Sequence, residues 1–129
     1  MTQCPFCNPD PTRAFLETEL ILGLWEGFPV SRGHALLVPR RHVAVWFDAS
    51  PAEQEALMAA IDQVRALIEE LAVRESRPKP DGYNVGFNAG AAAGQTVFDL
   101  HVHVIPRYAG DVADPRGGVR GVIPEKAAL

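Results

Sequence analysis

Two histidines and an aspartate recur at every second position in the C-terminal third of the sequence. Asp99, His101 and His103 fall within residues 98–106, which we predict to be a β-strand. Side chains alternate between the faces of a strand, so these three project together, about 6.7 Å apart. The apolar layer then receives Phe98, Leu100, Val102 and Val104. A polar ridge of this kind is either a solvated outer face or a site where each group meets a hydrogen-bond partner, a metal or a ligand.

The loop before this strand has the composition of an anion site. Gly90 and Gly94 permit close approach of the backbone, and Gln95 and Thr96 follow as short polar donors. We expect backbone N–H groups of this loop to face an anion. A histidine beside a bound phosphate suits phosphoryl or nucleotidyl transfer, because that chemistry depends mostly on positioning and charge stabilisation. The loop therefore favours a reactive site over a solvated face.

A pair of cysteines is the second feature with chemical potential. Cys4 and Cys7 are spaced as Cys-x-x-Cys. In a reducing compartment this spacing favours metal ligation or redox chemistry over a structural disulfide. The pair by itself does not decide between the two.

One long helix is predicted from residue 51 onward. Ser50 is placed to cap it, Pro51 suits the first turn, and Glu53 completes a capping box. Apolar residues then recur at spacings of three and four, so one face packs on a sheet. These residues are Leu57, Ala60, Ile61, Val64, Leu67, Ile68 and Leu71.

Short apolar segments around this helix predict a β-sheet. We expect two strands within residues 15–25, one at residues 34–38, and a hairpin formed by residues 83–88 and 98–106. The fold class is therefore α+β, an antiparallel sheet of about five strands with one long helix packed on one side. Residues 1–129 form a single domain in this prediction, with residues 109–129 as an extended C-terminal tail.

Composition excludes several classes of partner. The 129 residues contain 12 Lys plus Arg against 16 Asp plus Glu, a formal charge of −4, and no basic stripe that would hold a nucleic-acid polymer or an anionic membrane. The longest apolar run, residues 56–61, is far shorter than the about 20 residues that span a bilayer. Residues 1–5 lack the charged-then-apolar pattern of a signal peptide, so we expect a cytoplasmic protein.

At the level of motifs, the sequence resembles the histidine triad (HIT) family. Residues 94–107 (GQTVFDLHVHVIPR) resemble the family signature, normally His-x-His-x-His among apolar residues. Residues 31–42 (SRGHALLVPRRH) are similar to the second family block, residues 84–88 to the strand before the loop, and residues 114–120 (DPRGGVR) to a tail of bacterial members. The resemblance implies a HIT-like fold, a homodimer joined through its sheets, and a hydrolase or transferase of purine nucleotide conjugates.

The resemblance also implies roles for individual residues. His101 is at the middle triad position and would attack the α-phosphorus to form a nucleotidyl-histidine intermediate, which water then hydrolyses; neutral imidazole is an available nucleophile. His103 would assist the leaving group or bind phosphate, and His34 would buttress the triad. The expected substrate contacts are Glu26 on the ribose, Asn88 as the residue that orients the phosphates, and Gly94, Gln95 and Thr96 in the phosphate loop.

The departure from the family pattern is Asp99, which stands where the first triad histidine is expected. In the zinc-bearing branch that histidine binds metal together with a Cys-x-x-Cys pair and a histidine after the Val-Pro block. The corresponding residues here are Cys4, Cys7 and His42, and a carboxylate is an acceptable fourth zinc ligand. The resemblance thus implies a closed structural zinc site that includes residues 1–12, against the alternative that Asp99 marks loss of the metal. No organic cofactor is expected.

Two other functions remain open at this point. His101 and His103 would also suit a catalytic metal with an open position for water, which would make the protein a metal-dependent hydrolase. Alternatively, Asp99 has weakened or abolished turnover and the protein is a nucleotide-binding or interaction module. Removal of metal and a covalent adduct at His101 separate the three possibilities.

Overall fold

A five-stranded antiparallel sheet forms the centre of the protein. The computed structural model describes residues 10–128. The strands are β1 (Ala14–Glu17), β2 (Ile21–Trp25), β3 (Ala35–Pro39), β4 (Gly82–Gly86) and β5 (Val102–Arg107). They lie in the order β1-β2-β3-β5-β4, so β5, which contains His103, is between β3 and the edge strand β4. With one long helix on the sheet, the predicted α+β fold class is confirmed.

The helix α1 (Pro51–Arg74) begins as the sequence predicts. The Ser50 hydroxyl accepts a hydrogen bond from the Glu53 N–H, and the Glu53 carboxylate accepts one from the Ser50 N–H, which forms a complete capping box. Arg41 also donates to Glu53 at 2.8 Å, so this buried carboxylate fixes the connection between β3 and the helix as well. The pKa of Glu53 is lowered, mainly by the Arg41 guanidinium.

The two faces of the sheet contribute to different apolar clusters. Ala35, Leu37, Val102 and Val104 pack with the buried face of α1. On the other face, Leu22, Leu24, Leu36 and Val38 form a separate buried cluster. His103 is paired with Leu36 in the register of β3 and β5, and paired residues share a face, so His103 projects away from the helix.

The predicted strand over residues 98–106 is too long at its start. β5 begins at Val102 because the Leu100 N–H donates to the carbonyl oxygen of Val43 (2.7 Å), in the connection after β3. Phe98 is therefore 47% exposed, and its expected place in the apolar layer is wrong. Asp99 is buried rather than part of a ridge along a strand. Leu100, Val102 and Val104 are buried as predicted.

The hairpin of β4 and β5 is present, with Gly86 opposite His103. The predicted first strand, residues 83–88, ends at Gly86 instead, and the remaining residues belong to the loop. In the tail, two short 3₁₀ turns at Gly118–Val122 and Pro124–Lys126 follow the last strand. Within residues 10–128 no helix is long and apolar enough to cross a membrane.

Candidate active site

The three histidines of the site lie on or directly before two neighbouring strands. His34 immediately precedes β3, and His103 is the second residue of β5, so the pairing of these strands brings the two rings together. His34 Nε2 and His103 Nδ1 are 2.9 Å apart. The ring of His101 meets that of His103 edge-on, with centroids 4.9 Å apart. The structure thus clusters the residues that the sequence assigned to catalysis.

A backbone hydrogen bond determines where the proton of His34 lies. The Val30 N–H donates to His34 Nδ1 at 3.2 Å, so this nitrogen must be the acceptor. Neutral His34 consequently carries its proton on Nε2 and donates it to His103 Nδ1. His103 in turn carries its own proton on Nε2. Sequence reasoning missed the part of Val30, since a backbone donor in a turn leaves no mark in the residue types.

Burial keeps both of these rings neutral. It lowers the pKa of His103 to about 4, with the neighbouring His101 and His34 acting in the same direction and Glu26 opposing them. Burial also lowers the pKa of His34, again against the carboxylate of Glu26. At neutral pH the pair is therefore an uncharged hydrogen-bonded relay.

His101 has its tautomer set by the backbone of Asp99. Its Nδ1 lies 2.7 Å from the Asp99 carbonyl oxygen, which can only accept, so Nδ1 carries the proton. The lone pair of the neutral ring is then on Nε2. This arrangement gives a ring whose nucleophilic nitrogen and orientation are both fixed.

Glu26 is close to the histidine relay. One ligand atom from each of Glu26, His34 and His103 lies within 4.8 Å of the others. Judged by residue type and distance alone, this group could bind a metal ion. The hydrogen bond from Val30 opposes that use, because a metal at His34 Nε2 would force a proton onto Nδ1, facing another donor. The grouping is better described as a carboxylate beside a neutral histidine pair.

His42 and Asp99 meet at the end of the site. His42 Nδ1 and Asp99 Oδ1 are 2.6 Å apart, and the Asp99 carboxylate is buried whereas His42 is more than half exposed. Among the described residues no group hydrogen-bonds to Asp99 Oδ1 with acceptable geometry. A buried carboxylate oxygen that contacts an imidazole nitrogen without hydrogen-bond geometry fits a metal-binding position. Cys4 and Cys7, the other expected ligands, lie outside the described residues.

The loop at residues 90–94 is closed on itself, contrary to the expectation of backbone donors turned toward an anion. The N–H of Ala93 donates to the carbonyl of Gly90, and that of Gly94 donates to the carbonyl of Ala91. The N–H of Gly90 donates to the Gln95 side chain at 2.8 Å. These three donors are therefore used to build the loop.

Gln95 has a structural position within the same loop. Its side chain is buried, and its Nε2 donates to the carbonyl oxygens of Ala44 (2.8 Å) and Val97 (3.1 Å), which accounts for both amide protons. Thr96 and Asn88, in contrast, are exposed. The structure thus brings Thr96 and Asn88 to the surface and commits the Gln95 amide to backbone contacts.

A cavity of about 350 Å³ opens beside His103 and extends from β4 to Val30 and His34 before β3. It is lined by Asn88 at the end of the loop and by Ile105 of β5, and its other wall comes from the tail. The tail residues are Val119 and Val122, neither of which sequence reasoning connected with the site. No local sequence pattern signals this contact, because it depends on where the tail folds back.

Comparison with known proteins identifies the class. A sequence model described as HIT domain matches residues 8–110. An uncharacterised HIT-like protein of Mycoplasma genitalium is 37% identical over 93 residues, which cover 71% of this chain and 61% of that protein. A protein of Mycobacterium tuberculosis named AP-4-A phosphorylase is 31% identical over 111 residues, which cover 85% of this chain and 54% of that protein.

Among solved structures, a Zn-bound histidine triad family protein from Mycobacterium smegmatis superimposes with a TM-score of 0.65 at 36% identity, covering 86% of this chain and 79% of that one. The chain belongs to the HIT domain family, which confirms the family that the sequence resembles. The chain spans between about half and three fifths of the length of these two curated relatives.

Proposed function

We propose that this protein is a hydrolase or nucleotidyl transferase that acts at the α-phosphate of purine nucleotide conjugates, through a nucleotidyl-histidine intermediate at His101. The observation that carries the proposal is the hydrogen bond between His101 Nδ1 and the Asp99 carbonyl, because it leaves the nucleophilic lone pair on Nε2. The name AP-4-A phosphorylase of one relative supports nucleotide chemistry in general.

Each step of the proposed reaction balances. The Nε2 lone pair of His101 forms a bond to the α-phosphorus, and the bond between phosphorus and the leaving group breaks with its electron pair on the leaving group. The leaving group accepts a hydrogen bond from His103 Nε2–H and takes a proton from solvent. Water then forms a bond to phosphorus and returns a proton to solvent, and the pair of the N–P bond goes back to Nε2. Two lower barriers replace one high barrier.

The relay of His34 and His103 serves this reaction by position. Because His34 donates to His103 Nδ1, the His103 proton is held on Nε2, where it can reach a phosphoryl oxygen or the leaving atom. Glu26, near both rings, is proposed to hold the ribose hydroxyls.

In the phosphate loop, we propose that exposed residues contact the phosphates and that a buried residue supports the loop. Asn88 and Thr96 are proposed to contact the phosphates directly, and both are exposed in the structure. Gly94 has a left-handed backbone at the end of the loop, and we propose that it permits the close approach of a phosphate. Gln95 is proposed to shape the loop from behind.

A structural zinc site is proposed next to the reacting histidine. Cys4, Cys7, His42 and Asp99 would hold the ion, with Asp99 in place of the first triad histidine. The buried Asp99 Oδ1 supports this ligand set, because it lies against His42 Nδ1 but forms no hydrogen bond of acceptable geometry within residues 10–128. Zinc there would be closed to substrate and would stabilise the backbone whose carbonyl orients His101.

We also propose that two copies associate through their sheets. β4 is an edge strand, so the backbone N–H and C=O groups on its outer side are available to pair with a strand of a second copy. Light scattering at micromolar protein tests this part separately. A monomeric mass would contradict it without affecting the chemistry.

A covalent adduct is the direct test of the proposed function. The protein is mixed with adenosine 5′-phosphoramidate, quenched in denaturant after different delays, and examined by intact-mass and peptide mass spectrometry. We expect an adenylyl adduct on the peptide that contains His101, absent in His101→Ala. Turnover that survives a strong chelator in folded protein would exclude a catalytic metal on His101 and His103. Nucleotide binding without adduct or turnover would instead support the non-catalytic module.

A further inference from the structure

The serine in the turn before His34 has no part in the proposed reaction. Ser31 lies between β2 and β3, and its hydroxyl donates to the carbonyl oxygen of Pro106, 75 residues further along the chain, at 2.7 Å. We propose that Ser31 is a positioning residue, whose hydroxyl fixes the direction of the hydrogen bond between His34 and His103. The inference rests on the proposed function, because His103 is the expected donor to the leaving group, but its direct measurement needs no substrate.

The Ser31 hydroxyl replaces a backbone donor where the pairing of two strands ends. The ladder between β3 and β5 stops at Ala35. On the β4 side, the Asp81 N–H donates to the carbonyl oxygen of Arg107. Successive carbonyls of a strand point in opposite directions, so the carbonyl of Pro106 points toward β3 and the turn. The serine side chain supplies the hydrogen bond that this carbonyl requires.

Ser31 and His34 are the two ends of one tight turn. The His34 N–H donates to the Ser31 carbonyl oxygen at 3.2 Å, and Gly33 within the turn has φ 90°. A Cβ at Gly33 would come within 3.3 Å of side chains of α1 and β5, so the turn packs closely on both. Val30 directly precedes the turn, and its N–H donates to His34 Nδ1. The attachment of Ser31 to β5 therefore sets where the Val30 N–H points.

The hydrogen bond between His34 and His103 has two possible directions. In the direction that the Val30 N–H selects, His34 Nε2 donates and His103 carries its proton on Nε2. In the opposite direction, His103 Nδ1 donates to His34 Nε2, the His34 proton lies on Nδ1, and His103 Nε2 has only a lone pair. The opposite direction sets the Val30 N–H against another donor. It also leaves His103 without a proton for the leaving group.

The contact that selects the direction is easily lost. The distance from the Val30 nitrogen to His34 Nδ1 is 3.2 Å, at the long end of the range for an N–H donor, so a small movement of the turn breaks it. A second contact holds the turn more loosely in place, because the Tyr108 hydroxyl donates to the carbonyl oxygen of Arg32 at 2.9 Å. Removing the Ser31 hydroxyl should therefore release the Val30 N–H while the turn stays folded on the sheet.

Ser31→Ala and Ser31→Thr test the proposal, since threonine keeps the hydroxyl. ¹⁵N NMR of substrate-free protein labelled with ¹⁵N-histidine reports the tautomers of His34 and His103. We expect one tautomer at each ring in the wild type and in Ser31→Thr, and both tautomers at each ring in Ser31→Ala. With adenosine 5′-phosphoramidate, Ser31→Ala should lower kcat about tenfold with little change in KM, and Ser31→Thr should restore it.

Thr18→Ala is the matched control for removal of a hydroxyl. Thr18 Oγ1 exchanges hydrogen bonds with the backbone of Ile21 in the turn between β1 and β2, at the other end of β2. This variant should lose stability to a similar extent as Ser31→Ala. The tautomers of both histidines and kcat should stay unchanged.

The outcomes separate this inference from the function on which it rests. A single, unchanged tautomer at each ring in Ser31→Ala would overturn the proposal, and so would a mixture that persists in Ser31→Thr. A mixture of tautomers with undiminished kcat would show that the direction of the bond does not matter to the reaction, and the positioning role would fall. If the wild type forms no adduct at His101, the proposed function fails, and the NMR comparison still decides whether Ser31 sets the tautomers.

Discussion

His34 Nε2 donates a hydrogen bond to His103 Nδ1 across 2.9 Å, and the direction of this bond is fixed by a backbone N–H at Val30. The turn between β2 and β3 thereby determines which nitrogen of a histidine on β5 carries its proton. His34 acts on the reaction through His103, so it is a positioning residue in this mechanism. Its role is separable from folding because the tautomer of His103 is itself measurable.

Replacing His34 by alanine should impair catalysis more than binding. His103 Nδ1 loses its donor, so both neutral tautomers become populated and the Nε2–H form is no longer enforced. We expect kcat to fall about 10- to 100-fold with little change in KM. ¹⁵N NMR of protein labelled with ¹⁵N-histidine should show a single His103 tautomer in the wild type and a mixture of tautomers in His34→Ala.

A matched control for this prediction is Arg32→Ala in the same turn, where the side chain is exposed. That variant should keep both kcat and the His103 tautomer. If His34→Ala retains full kcat, or if its loss of kcat comes with an unchanged His103 tautomer, the relay has no catalytic part.

The lowered pKa of His103 makes the folded state sensitive to acid. The pKa is about 4 in the folded protein against an ordinary 6.5, so between these values the unfolded chain binds a proton that the folded chain does not. Stability should therefore decrease as pH falls from about 6.5 toward 4. After allowance for partial exposure of the ring, the contribution is about 1–2 kcal/mol.

Urea unfolding at pH 7.5 and pH 5 measures this dependence. His103→Gln removes the titrating ring, so its loss of stability between the two pH values should be smaller than that of the wild type by about 1 kcal/mol. Acid-sensitive groups that do not contact His103 affect both proteins alike. Equal losses in the two proteins would show that His103 titrates normally in the folded state.

Metal content tests the assignment of Asp99. If its buried oxygen is a zinc ligand, protein purified without a metal-binding tag should contain about one zinc ion per chain. Inductively coupled plasma mass spectrometry measures this content. Asp99→Ala should lose the metal and unfold at a lower temperature, whereas Asp99→His should keep it, because imidazole is also a zinc ligand.

Asp62→Ala, on the exposed face of α1, serves as the control for removal of a carboxylate. It should keep the metal and the unfolding temperature. Wild-type protein that contains no zinc and binds none at micromolar concentration would refute the ligand set, and Asp99 would then be a buried carboxylate paired with His42.

A substitution of Gln95 tests whether its side-chain amide stabilises the loop or contacts phosphate. In Gln95→Glu, a carboxylate oxygen replaces the nitrogen that donates to the carbonyls of Ala44 and Val97, which leaves acceptors facing acceptors. We expect a loss of about 2–3 kcal/mol in the free energy of unfolding, measured by denaturant titration without nucleotide. A variant as stable as the wild type but weaker in nucleotide affinity would return Gln95 to direct phosphate contact.

The parts of this molecule that follow from local pattern were predictable. The capping box at Ser50 and Glu53 depends on residues three apart, and the alternation of Val102 and Val104 needs only the period of a strand. The start of β5 was not predictable, because it depends on a hydrogen bond from Leu100 to a residue far away in the sequence, Val43. The tautomer of His34 and the closure of the phosphate loop were not predictable for another reason. They depend on hydrogen bonds within turns, over three to five residues, which the residue types do not specify.

The phosphate loop provides a last prediction, which concerns backbone conformation alone. Gly90 has φ 94° and ψ 157°, a region that is essentially restricted to glycine. A Cβ at this position would meet no atom within 4 Å, so an alanine there is opposed by backbone strain and not by crowding. Gly90→Ala should therefore cost about 1–3 kcal/mol of stability.

Gly82→Ala separates this effect from the general effect of adding a methyl group. A Cβ on Gly82 in β4 also has open space, but its φ is not positive, so this variant should be as stable as the wild type or up to about 1 kcal/mol more stable. Because the Gly90 N–H donates to Gln95 and its carbonyl accepts from Ala93, strain in Gly90→Ala should spread through the loop and lower nucleotide affinity. Equal stability of the two variants would mean that residue 90 does not hold this conformation in solution.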